Sequence, residues 1–381
     1  MNVYVRELSS ALARLGHEVD VYTRRDNVLV RDLVLVEPGF RVHHVTAGPA
    51  VVLERDEFAL FVNEFTDAVA ASFRADGAPD AIHANYWLSG LAGHRLKHEL
   101  NIPLIMTFHT LERVKADTFE AESDERAHQE AALFACADAV LASCEVEAEQ
   151  FVRFYNATPS RVHIVPLGVQ HAFFAPGYRP RARRALGIDA KATLLLFVGR
   201  LQALKGVDLA LETLIELRAR GRHALLAIVG GPSGADGRAT LAALHRRVNE
   251  AGVIKSVSFV APQAHQLLST WMRAADATLV PSRSESFGLV ALESSACGTP
   301  VVASEVGGLM TLIEPGVNGL LIDQRDPVAW ADAVEHVTDP SYSTALSSGS
   351  VLLARSYTWR SAGESLAALT EELVASSLVR C

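Results

Sequence analysis

Two carboxylates, Glu285 and Glu293, stand eight residues apart in the string PSRSESFGLVALESSACGTP, residues 281–300. A carboxylate accepts hydrogen bonds from sugar or ribose hydroxyls. Between the two acids, the backbone amides of Ser286, Phe287, Gly288 and Leu289 are expected to open a helix. Unpaired N–H groups at the positive end of a helix dipole suit a phosphate. Amides flanked by acids therefore suit a nucleotide diphosphate that carries a sugar. An acidic pair at this spacing is also common on the solvated face of an amphipathic helix, so taken alone it leaves both readings open.

Such a pair must be held by a strand and the helix after it. The apolar run Ala277–Val280 reads as a buried parallel strand whose carboxyl end delivers the Ser-rich turn, the place where ligands bind in open α/β sheets. The same cadence runs along the chain. Strands are expected over 18–22, 41–45, 80–84, 103–107, 139–142 and 162–169, then over 193–198, 224–229 and 257–260. Helices are expected over 2–15, 58–73, 88–100, 130–137 (after a charged segment, 120–129), 143–154, 208–219, 240–251, 265–274 and 361–375. Strand after helix at this rhythm means an α/β fold of two Rossmann-like, doubly wound parallel-sheet domains. Pro166, Pro176 and Pro180 with Gly168 and Gly177 punctuate the middle and place the domain boundary near 172. One domain is then 1–172 and the other begins at 173.

Composition excludes several classes. The 381 residues suit two cores, and 49 % hydrophobic with 21 % charged residues is the profile of a globular α/β protein. A formal charge of −9 without a basic stripe argues against nucleic acid as a partner. No apolar stretch reaches the roughly 18 to 20 residues of a membrane span, and the start lacks the order of a signal peptide, so a cytoplasmic location is expected. The four cysteines, Cys136, Cys144, Cys297 and Cys381, form no C-x-x-C pair, and reduced, buried thiols are expected rather than disulfides or metal ligands. Gly230-Gly231-Pro232-Ser233-Gly234 does not fit the dinucleotide fingerprint, which disfavours an oxidoreductase.

The string 281–300, continued by Gly298-Thr299-Pro300-Val301-Val302-Ala303, Gly307-Gly308 and Glu314-Pro315-Gly316-Val317-Asn318-Gly319-Leu320-Leu321, resembles the donor-binding signature of retaining family-4 glycosyltransferases of the GT-B type. Gly199-Arg200-Leu201-Gln202-Ala203-Leu204-Lys205-Gly206 resembles that family's G-R-x-x-x-x-K-G element. Two cations five residues apart can meet one diphosphate, the leaving group that gains charge as the glycosidic bond breaks. The resemblance implies that Arg200 and Lys205 hold the diphosphate and that Glu293 takes the ribose. It also implies that Glu285, with the amides of Ser286 to Leu289, holds the donor sugar. Gly230 is expected to approach the nucleotide closely, lacking a Cβ. His109, at a strand end, matches the family's histidine near that sugar. The implied reaction is front-face transfer with retention, in which the departing phosphate helps deprotonate the acceptor. No metal or cofactor is required beyond the nucleotide sugar; Mg is allowed but not implied. The resemblance implies that the last helix returns to the first domain, making the domains 1–172 with 355–381, and 173–354. In the family a strand and glycine-rich turn precede the opening helix; here only Met1 stands before it, which reads as a start placed late or a truncated product.

The acceptor is addressed by the first half. Gly48 with Arg55, Tyr86, Thr110, Lys115 and Arg126 resemble a subgroup containing inositol-phosphate N-acetylglucosaminyltransferases and sucrose-phosphate synthases. In that subgroup a Lys, Tyr, Thr and Arg hold an acceptor phosphate, and Arg55 stands where the Lys is expected. The expected function is transfer of a hexosyl unit from a UDP-linked donor, such as UDP-GlcNAc or UDP-glucose, to a phosphorylated polyol or sugar. A lipid or polysaccharide acceptor, an inactive UDP-binding relative and a homodimer stay open.

Overall fold

The computed structural model describes residues 2–117, 124–233 and 237–381, without the side chains of residues 55 and 56. It divides into two compact units, Met1–Gly168 with Trp359–Cys381, and Val169–Thr358.

The strands of the first unit form two sheets. In one, β1 (Val19–Arg24) runs parallel to β3 (Phe40–Val45), which pairs antiparallel with β2 (Leu33–Glu37). Strand β2 has no counterpart in the sequence reading. Its Leu33, Leu35 and Val36 are exposed, so it carries no clean period-two pattern. The other sheet is all parallel, in the order β4 (Ile82–Asn85), β5 (Leu104–Thr107), β6 (Ala139–Ala142) and β7 (Val162–Ile164). Strands β5 and β6 are buried throughout, as their unbroken apolar runs require. The helix Asn2–Arg14 packs on Trp359–Val374, with Ala11 against Gly363.

The second unit is one six-stranded parallel sheet: β8 (Thr193–Val198), β9 (Ala224–Val229), β10 (Val257–Val260), β11 (Ala277–Val280), β12 (Val301–Ser304) and β13 (Gly319–Ile322). Its spatial order is β10-β9-β8-β11-β12-β13. Leu195, Phe197, Leu226, Ile228 and Leu279 from these strands pack with Leu211, Leu214 and Trp330 from the covering helices. Helices Arg179–Leu186, Pro327–Thr338 and Pro340–Ala354 were not read from the sequence. The last two start at Asp326 and Asp339, whose side chains accept from Val328 N and Ser341 N ahead of a proline at the helix start.

One expectation fails. Cys136 and Cys381 are joined as a disulfide with Cα atoms 5.4 Å apart, where reduced thiols were expected. The partners lie 245 residues apart in sequence, so no local spacing could have paired them. Cys144 and Cys297 are buried thiols.

Candidate active site

The order of the second sheet fixes where a ligand fits. From β8 the chain steps outward through β9 and β10 on one side, then returns to β11 on the other and steps out through β12 and β13. A parallel sheet opens a crevice at such a reversal, because the loops at the carboxyl ends of the two neighbouring strands leave toward opposite faces. Those loops are 199–206 after β8 and 281–288 after β11.

They are tied to each other. Arg283 N donates to Leu204 O at 2.8 Å. Gly206, at φ +69°, comes so close to Pro281 that a Cβ would lie 1.9 Å from its carbonyl oxygen. Only glycine fits there. Lys205 Nζ donates to Glu285 Oε2 at 2.6 Å, and Ser282 Oγ donates to the same oxygen at 3.2 Å. The Glu285 carbonyl accepts from Gly308 N at 2.9 Å, and a Cβ on Gly307, at φ +50°, would lie 2.0 Å from it. Backbone from the loop after β12 thus holds Glu285 from below. Arg200 is exposed on the β8 loop.

One detail differs from the sequence expectation. The helix is Leu289–Ala296, with Gly288 at φ +102° as its N-cap, so Ser286, Phe287 and Gly288 belong to the turn before it. Glycine at the cap and the left-handed backbone it adopts shift the start by three residues. Gly230 stands at φ +157°, and a Cβ there would lie 1.8 Å from Gly199 O. Glu293 is buried in the helix, and burial pushes its carboxyl up to about 8.

In the first unit the carboxyl ends of β4 and β5 carry strained backbone. Tyr86 follows β4 at φ 80°, and His109 lies just beyond β5 at φ 62°, both in a region that side chains other than glycine rarely adopt. Tyr86 N donates to Thr107 O at 2.8 Å, and His109 Nε2 lies 2.9 Å from Asn85 Oδ1. With the amide oxygen accepting, Nε2 carries the proton and Nδ1 is the acceptor nitrogen. The Tyr4 ring meets His109 edge-on at 4.9 Å. Burial pushes the His109 imidazole down to about 3 and that of neighbouring His83 to about 4, so both are neutral at pH 7.

Four of the acceptor-side residues converge. The Arg126 guanidinium packs over the Tyr86 ring at 5.1 Å and donates from Nη2 to Thr110 O at 2.9 Å and Oγ1 at 3.3 Å. Its Nε meets Glu130 Oε1 at 2.8 Å and its Nη1 meets Glu112 Oε2 at 3.0 Å. Lys115 Nζ stands 3.7 Å from the same Glu112 oxygen. Glu130 Oε2 also accepts from Glu112 N at 2.9 Å and from the Tyr155 hydroxyl. The side chain of Arg55 lies outside the described residues; its backbone begins a 3-10 helix, Arg55–Phe61.

Residues 179–344 match the family described as Glycosyl transferases group 1, and residues 1–168 match the Glycosyl transferase 4-like domain. A D-inositol 3-phosphate glycosyltransferase of Acidothermus cellulolyticus is 40 % identical over 98 % of this chain and 86 % of its own. A protein of the same description from Thermobispora bispora is 40 % identical over 98 % and 89 %. This chain belongs to the group 1 glycosyltransferases. It is similar in structure to sucrose-phosphate synthase from Thermosynechococcus elongatus, with a TM-score of 0.90, 31 % identity and coverage of 98 % and 93 %. Its fold is therefore GT-B. The Anabaena HepE structure in complex with UDP-glucose shares that fold at a TM-score of 0.75 and 20 % identity, over 87 % and 86 % of the two chains.

In this glycosyltransferase several partners of the candidate side chains were not expected from the sequence. Glu130 sits four residues after Arg126, a helical ion-pair spacing that could have been noticed. Ser282 lies inside the string 281–300 and had been given no role. Glu112 stands three residues before Lys115, another helical spacing, but its closer partner Arg126 reaches it through the tertiary fold. Among the described residues no helix is long and apolar enough to cross a membrane.

Proposed function

We propose that this glycosyltransferase moves a hexosyl unit, with retention, from a UDP-linked sugar to a hydroxyl of a phosphorylated polyol such as an inositol phosphate. The observation that carries the donor half is the Lys205–Glu285 pair lying where the strand order reverses. An ammonium has three donors, and one is given to Glu285, so Lys205 can hold that carboxylate and a diphosphate oxygen together. Arg200, exposed on the same loop, is the second cation. The two meet charge that grows on the diphosphate as the C1–O bond breaks and its electron pair departs with UDP. Glu285 and the turn from Ser286 to Leu289 then face the sugar, with Gly230 beside the nucleotide and Glu293 at the ribose.

His109 acts as a neutral hydrogen-bonding group toward the sugar, since its imidazole carries no charge at working pH. The acceptor oxygen attacks C1 on the face the phosphate leaves, and its proton passes to the departing phosphate. On the acceptor side, Tyr86, Thr110, Lys115 and Arg126, joined by Arg55, take the acceptor's phosphate. The curated relatives named D-inositol 3-phosphate glycosyltransferase support that class. This makes the first unit the acceptor side and the second the donor side.

The test is to incubate the purified chain with UDP-GlcNAc or UDP-glucose and inositol phosphate, following UDP release and the anomeric configuration of the product. Release that depends on the phosphorylated polyol, with an α-linked product from an α-linked donor, is expected. Release that is equal with unphosphorylated inositol, or an inverted product, refutes the reading. UDP binding without turnover on any acceptor would mark a binding-only relative instead.

A further inference from the structure

Helix Trp87–Leu100 places His94 and His98 four residues apart on one face. Their rings stand edge to face at 4.8 Å, with the two Nε2 atoms 3.2 Å apart. Cys136 closes the helix Asp124–Cys136, and Cys381 is the last residue of the sequence. Cys136 Sγ lies 3.4 Å from His98 Nε2. Cys381 Sγ lies 3.3 Å from His98 Nε2 and 3.7 Å from His94 Nε2. All four donor atoms fall within 4.8 Å of one another.

Two nitrogens and two sulfurs around a tetrahedral zinc ion, at bond lengths of about 2.0 and 2.3 Å, stand roughly 3.3 to 3.8 Å apart. The nitrogen–nitrogen separation and the three short nitrogen–sulfur separations here fall at or near those values. We propose that His94, His98, Cys136 and Cys381 form a closed Cys2His2 site for a zinc ion when the two cysteines are thiols. Sulfur and imidazole donors select a soft or borderline tetrahedral ion over Mg or Ca, which want oxygen. Four protein donors leave no open position, so the site is structural rather than hydrolytic.

The disulfide and the metal are alternative occupants of the same two sulfurs. A dithiol reductant supplies two electrons and two protons, the S–S bond breaks, and two thiols result. Zinc then binds both as thiolates and displaces their two protons to solvent. Either bond ties the last residues of the sequence to the first unit. The scaffold around them is in place: Val379 N donates to Asp138 Oδ1 at 2.7 Å, Lys97 Nζ pairs with Asp138 Oδ2 at 2.8 Å, and the same ammonium donates to Cys136 O at 2.7 Å. His98 and Cys381 are exposed, which gives an ion a way in. None of the four residues has a part in the sugar-transfer scheme.

The full chain, reduced with a phosphine, stripped by a chelator and desalted, is titrated with zinc against a chromogenic chelator, and separately with cobalt(II) under anaerobic conditions. One zinc per chain is expected. Cobalt should give the visible bands of a tetrahedral ion with a thiolate-to-metal charge-transfer band. Cys381→Ser, at an exposed residue whose loss does not threaten folding, should weaken that band and lower zinc affinity at least tenfold. His94→Gln with His98→Gln should lower affinity by at least as much and leave the thiolate band. No stoichiometric zinc in the reduced chain overturns the proposal. So does a cobalt spectrum unchanged by Cys381→Ser, or equal zinc affinity in the oxidised chain.

Discussion

The charged groups at the two strand-end sites are arranged differently. In the second unit Lys205 and Glu285 form one pair, with side chains 22 % and 18 % exposed, and Arg200 is exposed on the loop that carries Lys205. In the first unit Arg126 and Glu130 are 4 % and 0 % exposed and lie in a network with Glu112, Lys115 and Tyr155. The second-unit group has a surplus positive charge and access to solvent. The first-unit group is already balanced, two cations against two carboxylates. A buried guanidinium held by two acids cannot leave them without an uncompensated charge, so Arg126 would meet a phosphate only from its place within that network. Lys205, partly exposed and given to one carboxylate, keeps further ammonium donors for a ligand.

The contrast is broken most forcefully at Glu130. Glu130→Ala removes an acceptor from Arg126, Glu112 N and Tyr155 and leaves a buried guanidinium short of a partner. Urea unfolding should show a loss of about 3 to 5 kcal/mol. A change below about 1 kcal/mol would mean that the network is not what holds the loop. Lys205→Ala is the counterpart on the other side. Steady-state kinetics should show kcat/KM falling by about 10² to 10³, the cost of one lost charge-stabilising donor. Its unfolding free energy should move by under about 1 kcal/mol, as for a partly exposed pair.

Arg55→Ala sharpens the comparison from the acceptor side. A charge-assisted contact to phosphate of about 1.5 to 3 kcal/mol corresponds to a rise of roughly 10- to 100-fold in the half-saturating acceptor concentration. The donor's value should stay put. Equal shifts in both would remove the separate acceptor phosphate pocket.

The effect at Glu293 is one of pH. Its carboxyl titrates near 8 in the folded chain because of burial, well above the ordinary range near 4.3 of an unfolded glutamate. Between those values the native state binds the extra proton, so stability falls as pH rises from about 4.5 to 8, by at most about 1.4 kcal/mol per pH step. Glu293→Gln should flatten that slope in denaturation measured at several pH values. If the ribose is met by the ionised form, UDP should also bind more tightly at pH 8 than at pH 6, and the variant should lose that dependence. Calorimetry at the two pH values decides this.

How much of this was legible follows from distance along the chain. Strands such as Ala277–Val280 and Thr193–Val198 announced themselves, because a buried parallel strand needs an unbroken apolar run. The strings around Arg200, Lys205 and Glu285 are short and lie at strand ends, so their neighbours in sequence are also their neighbours in space. Strand β2, exposed along most of its length, had no such pattern to read. The start of the helix at Leu289 was misplaced because a left-handed Gly288 closes the turn before it.

The sequence by itself determined the alternation of strands and helices, the glycosyltransferase resemblance and which side chains could meet a phosphate. Local propensity and periodicity need only residues a few positions apart. Only the tertiary structure decided that Lys205 grips Glu285 eighty residues away, that Arg126 also meets Glu112, and that Cys381 returns to Cys136 beside two histidines. Those pairings depend on strand order and on where helices cross. These are settled by packing a whole core at once, so no window of sequence contains them.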